Sequence, residues 1–210
     1  MTEALSDTQR VVGETLCPHA KRAMLVHDII ETLPGDLNPA DTIWRRVQSY
    51  AENEQAFAPD GLFLSLPTSM FGDNIDGLAR GFKNLFCRLV ELDDRNPKEE
   101  LARAADPDYR FTLAGIDFHP LLFSLVYPEN NPRHSSSEDR VLLLLQTESS
   151  FDRHMPKYPD GSQKRWLHRL AIRETFARAL QPYQKHLGSR AIRYLSPEDA
   201  LNEPPVMWYL

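Results

Sequence analysis

The chain has 210 residues, 41% of them hydrophobic and 26% charged, with a formal net charge of −6. That is enough chain to bury one core without disulfides or structural metals, and the composition excludes disorder. The acidic balance argues against a protein that grips nucleic acid through its phosphates, and no apolar run reaches the roughly 18 residues of a membrane span.

Residues 1–15 read as a polar lead-in, acidic and without the basic start and apolar stretch of a secretory signal, so a cytoplasmic location is the expectation. Residues 16–210 read as one α+β domain. Cys17 and Cys87 match no zinc spacing and are expected as thiols. Cys17-Pro18 opens a predicted helix over His19 to Thr32, with Ala23, Val26 and Ile30 on one face. A loop follows to Pro39. A second helix runs over Asp41 to Ala51, with Asp41 as the candidate cap. Gly61 to Pro67 reads as a strand ended by proline. Asp73 to Leu92 is the clearest amphipathic helix, since Ile75, Leu78, Phe82, Leu85, Phe86 and Leu89 recur at three- and four-residue intervals.

Residues 93–109 form a charged connection with room for a short helix. Tyr109 to Val126 reads as one or two strands, broken at Asp117 or at His119-Pro120, and Val141 to Gln146 as a third. Trp166 to Leu187 is a long helix that Pro182 kinks or ends, Arg190 to Leu195 a final short strand, and the aromatic tail packs onto the body. Helices and strands mix without regular β-α-β alternation, which predicts α+β with helices packed on a small, largely antiparallel sheet. There is no Gly-rich dinucleotide fingerprint, phosphate loop or nucleophile elbow.

The segment most suited to chemistry is Tyr127-Pro-Glu-Asn-Asn-Pro-Arg-His134, a turn-forming cluster between two apolar runs. A neutral His134 imidazole can ligate haem iron or another transition metal, and Arg133 can hold a carboxylate or a haem propionate in two-pronged fashion. A solvated turn explains the same residues. Cys17 and His19 near a helix start offer a thiol and an imidazole, open to readings as nucleophile, haem ligand, or a half-buried Cys beside a surface His. His119 faces away from Phe118 along its strand, as a pocket lining or a hydrogen-bonded core histidine. Asp152 could orient a histidine or cap a turn. Arg169 and Arg173, one helical turn apart, could bind an acidic group or form a solvated face.

Taken in order, these segments resemble a family. They are Leu16-Cys17-Pro18, Phe111 to Gly115 with Phe118, the apolar strand into Tyr127-Pro128 and Arg133-His134-Ser135, Leu142 to Gln146 with Phe151, Ala171-Ile172-Arg173, and a Trp-Tyr tail. From about Leu16 onward the chain looks like a short, divergent member of the YqcI/YcgG-type proteins. That family includes haem-dependent oxygenases that hydroxylate a nitrogen of a free amino acid.

The resemblance implies haem b with His134 as the iron ligand, followed by His19 and Cys17 as alternatives. It implies Tyr127, Asn131 and Arg133 as catalytic groups, and Cys17, His19, Phe118, His119, Arg133 and Arg173 around the cofactor. Leu122 and Phe123 would help wall it. A small amine or amino-acid substrate, dioxygen or peroxide and an external electron donor complete the expected partners, with no nucleic acid or membrane; a homodimer is compatible. Other readings stay open: a haem- or small-ligand-binding protein without catalysis, a non-haem metal or cofactor-free enzyme using Cys17 and His19, and an accessory protein that works through an interface.

Overall fold

A computed structural model describes residues 2–17, 20–31, 38–154, 165–184 and 194–210. The fold is α+β, built on one five-stranded sheet. In chain order the elements are α1 (Thr2–Glu14), β1 (Leu25–Ile29), α2 (Pro39–Phe57), β2 (Gly61–Pro67), α3 (Ile75–Leu92), α4 (Pro97–Arg103), β3 (Phe111–Leu113), β4 (Ile116–Phe123), β5 (Arg140–Thr147), α5 (Glu148–His154) and α6 (Arg165–Arg178). The strands lie in the order β1-β2-β5-β4-β3. Only the β1–β2 pair is parallel, because α2 carries the chain back across the sheet between them.

Alternation along each strand sends one set of side chains to each face. Leu62, Leu64 and Leu66 of β2, Val141, Leu143 and Leu145 of β5, and Phe118 and Leu122 of β4 join the main core. Helices α2 and α3 supply Ile43, Val47, Leu78, Phe82, Phe86 and Leu89 to the same core. Gly81 of α3 is required by close approach: a Cβ there would lie 2.5 Å from the Met70 carbonyl oxygen. Trp208 of the tail wedges against both Phe82 and Phe86, with ring centroids 4.9 Å away in each case. The opposite face is thinner, with Phe63, Leu142 and Phe123 packed against Val11 of α1.

Several expected elements differ. The supposed lead-in is helix α1, docked through Thr8 and Val11, both buried. The stretch read as a helix from His19 contains strand β1, paired with Gly61 to Ser65; a partner distant in sequence overrode a local spacing that suits a helix. Asn38, not Asp41, caps α2 by accepting from the Ala40 N–H at 3.0 Å.

The break before β4 falls at Ala114-Gly115, where φ values of 48° and 77° make a tight hairpin turn. Pro120 remains inside β4 because β3 pairs only as far as Phe118, leaving β4 open on that side beyond it. Helix α6 ends at Arg178, before Pro182. Of the expected last strand, residues 190–193 lie outside the described residues, and Leu195 makes a single bridge to Val206. Among the described residues, no helix is long and apolar enough to cross a membrane.

Candidate functional site

Strand β4 delivers the chain into a closed loop, residues 124–135. Its ends meet where the Ser124 N–H donates to the Arg133 carbonyl at 3.1 Å and the Ser135 N–H to the Ser124 carbonyl at 3.1 Å. Inside it, the Asn131 N–H donates to Pro128 O at 2.8 Å and the His134 N–H to Asn131 O at 3.0 Å. The prolines and asparagines that marked this segment as a turn therefore build a compact, internally bonded loop.

His134 is half-buried, and its Nδ1 lies 2.7 Å from the Tyr127 carbonyl oxygen. A carbonyl only accepts, so Nδ1 carries the proton and the neutral ring keeps its lone pair on Nε2. The imidazole borders a cavity of about 150 Å³, whose walls include Arg10, Val11, Glu14, Phe123, Asn131 and Phe176.

Arg133 lies beside this cavity, its Cζ 5.2 Å from the centre of the Phe123 ring. No carboxylate among the described residues pairs with its guanidinium. Burial pulls it below its ordinary value, while nearby Tyr183, Tyr127 and Cys17 work the other way. Tyr127 is 1% exposed, and its hydroxyl has no hydrogen-bond partner among the described residues. Burial raises its pKa well above the usual phenol value, with Arg133 drawing it partly back. Tyr183 is raised for the same reason, with Arg133 and Arg173 lowering it and Cys17 raising it. Its ring packs edge-on against Phe176 at 5.5 Å.

Cys17, Tyr127 and Tyr183 thus lie within electrostatic reach of Arg133, the chain neighbour of His134, and Arg173 lies within reach of Tyr183. Asn131 is there too, but its side chain is occupied. Its amide donates to the carbonyls of Pro197 at 2.9 Å and Glu198 at 3.0 Å, while its Oδ1 accepts from the Arg133 N–H at 2.9 Å. It anchors the loop to the C-terminal segment and sets the Arg133 backbone, which makes it a positioning residue.

Three expected members stand apart. Phe118 belongs to the opposite sheet face, 0% exposed and 5.8 Å from the Tyr50 ring, so it cannot wall the cavity that Phe123 lines; the same alternation directs Leu122 into the main core. His119 faces the correct side but lies five residues back along the strand from Ser124, about 16 Å at the usual rise. It packs edge-on against Phe151 at 5.5 Å, with Nδ1 3.4 Å from Glu148 Oε1. It cannot share a ligand with His134. His19 lies outside the described residues.

A second constellation joins residues far apart in sequence. The buried Asp60 carboxylate accepts from the Met24 N–H at 2.8 Å, from Arg153 at 3.0 Å and from His154 Nε2 at 2.8 Å. Burial pushes its pKa up, but these bonds outweigh burial and hold it below the ordinary carboxylate range. The sequence alone does not single out Asp60. No sequence spacing links it to Arg153-His154, which stand 93 and 94 residues further along.

Among the described residues, no group of three or more His, Cys, Asp or Glu side chains could hold a metal ion. Comparison of the chain with protein-family models, curated proteins and solved structures finds no match in any of the three.

Proposed function

We propose that this chain is a haem-dependent oxygenase of the YqcI/YcgG type, acting in the cytoplasm on a nitrogen of a small amine or amino acid. The observation that carries the reading is the His134 imidazole, whose Nδ1–H is fixed by the Tyr127 carbonyl and whose Nε2 is left as a metal-binding lone pair. The donor types are those haem b uses, one oriented imidazole, a guanidinium without a carboxylate partner among the described residues, and apolar rings from Phe123 and Phe176, although the cavity as it stands is too small for the porphyrin. When bound, the group would supply oxidation of the substrate nitrogen, with dioxygen or peroxide and an external electron donor.

The chain's own contributions follow from the loop. Tyr127 holds the tautomer of His134 through its carbonyl. Arg133 offers a cation for a carboxylate, and Asn131 keeps the Arg133 backbone in place. His134 would hold the iron. Cys17 and Arg173 lie close enough to tune the electrostatics around Tyr183, and Cys17 those around Arg133.

The test is a titration of purified protein with haemin. A Soret band that shifts under carbon monoxide is expected, retained in His119→Ala and lost in His134→Ala. Oxidation of an amine in a substrate panel with reductant present would complete it. Protein that stays colourless with haemin overturns the reading.

One observation favours a second reading, a small-ligand-binding protein without catalysis. The cavity of about 150 Å³ is smaller than a porphyrin and below the roughly 300–1,000 Å³ of pockets for drug-sized ligands. Binding of small molecules by protein that takes no haemin would support that alternative.

A further inference from the structure

We infer that Arg133 and the Tyr127 hydroxyl form a receptor for the carboxylate of a small ligand. The groups that gather here are nearly all donors. The Arg133 guanidinium can only donate, and it stacks over Phe123 without a carboxylate partner among the described residues. The Tyr127 hydroxyl is buried and has no partner among the described residues, although buried polar groups in folded proteins almost always find one. Tyr183 and the Cys17 thiol stand within electrostatic reach of the same guanidinium. Burial holds both phenols in their protonated, donating form, so neither neutralises the arginine at ordinary pH.

A set of donors around an uncompensated cation is completed by a group that only accepts and carries negative charge. A carboxylate has that chemistry, and its two oxygens match the planar fork of a guanidinium. Glu14 and Glu129 line the neighbouring cavity, but both are exposed and neither forms an ion pair with Arg133. Arg133 as a residue is half-buried, and the cavity lined by its chain neighbours Pro132 and His134 lies beside it.

The carboxylate could come from a free substrate or from a porphyrin propionate. The receptor shares the site of the proposed function but does not require haem. Calorimetry on the full chain with acetate, small amino acids and their amides tests the first source, and haemin against its dimethyl ester tests the second. Either acids binding while their amides do not, or haemin binding at least about tenfold tighter than its ester, supports the receptor.

Arg133→Gln is expected to abolish the discrimination. Tyr127→Phe should weaken it about tenfold or less while leaving the melting temperature unchanged or higher, because it removes a hydroxyl that has no partner among the described residues. The Tyr127 variant and the wild-type ligand series keep the test decisive if Arg133→Gln fails to fold.

Acids and amides binding alike, with haemin and its ester also alike, overturns the receptor even if haem binds. Inorganic phosphate binding in preference to every carboxylate overturns it as well. Acids binding to protein that refuses haemin sustains the receptor and removes the oxygenase.

Discussion

The two faces of the sheet are filled by different means. Beneath α2 and α3 the side chains are almost wholly aliphatic or aromatic, and Trp208 closes the layer against Phe82 and Phe86. On the other face His27, Ser65, His119 and Gln146 alternate with apolar residues, and the covering elements are α1, α5 and the loop of residues 124–135. The first arrangement gains stability from burial alone. The second keeps polar groups partly dry, and not every one finds a partner among the described residues: the Ser65 hydroxyl on this face has none, and neither has the Tyr127 hydroxyl of the loop, whose ring packs into the main core.

Breaking the apolar face should have the largest effect. Phe86→Ala removes a 0% exposed ring that touches both Phe111 and Trp208, and should cost about 3–5 kcal/mol by denaturant titration. Asp60→Ala comes next, because it leaves Arg153, His154 and the Met24 N–H without their shared acceptor; a loss of about 2–3 kcal/mol is expected.

The native pKa of Asp60 is depressed, so its stabilisation is full above the unfolded value near 3.9 and is lost as pH falls through the native value. An Asp60→Asn variant should therefore lose part of the wild-type acid sensitivity below about pH 4.

Asn131→Ala should cost about 1–3 kcal/mol and free the loop from residues 197–198, visible as faster amide exchange in residues 124–135.

The smallest effect is expected at His27. Its Nδ1 lies 3.0 Å from the Thr8 hydroxyl beneath α1, and burial lowers its pKa. A lowered histidine favours the neutral folded form, so its contribution is complete above the unfolded value near 6.5 and declines as pH falls toward the native value. A His27→Gln variant should flatten the pH dependence of stability below the unfolded value near pH 6.5. An unchanged profile would show that α1 docking does not depend on the imidazole.

Much of this was legible in the chain. The spacing from Ile75 to Leu89 gave α3 within two residues of its start, and the apolar runs at Gly61 and Val141 gave β2 and β5, because each buries a repeating face. The loop of residues 124–135 was legible from its Pro, Asn and polar content. Strand β1 was not, since its identity depends on pairing with β2 and its side chains are mostly half-exposed. Helix α1 was missed because its residues are mainly polar and its docked contact is narrow. At the site, the sequence named Tyr127, Arg133 and His134 but also grouped Phe118 and His119 with them. Strand alternation removed Phe118, and distance along β4 removed His119.

Local chemistry thus determined the mixed architecture, the strongest helix and the turn-rich loop, because periodicity and turn propensity act between near neighbours. Tertiary structure alone decided that Asp60 receives His154, that Arg133 meets Phe123, Tyr183 and Cys17, and that Tyr127 is buried without a partner for its hydroxyl among the described residues. Those relations join residues separated by a sheet crossing or by a hundred positions. No local preference encodes them, and they are fixed only when the faces of the sheet are packed.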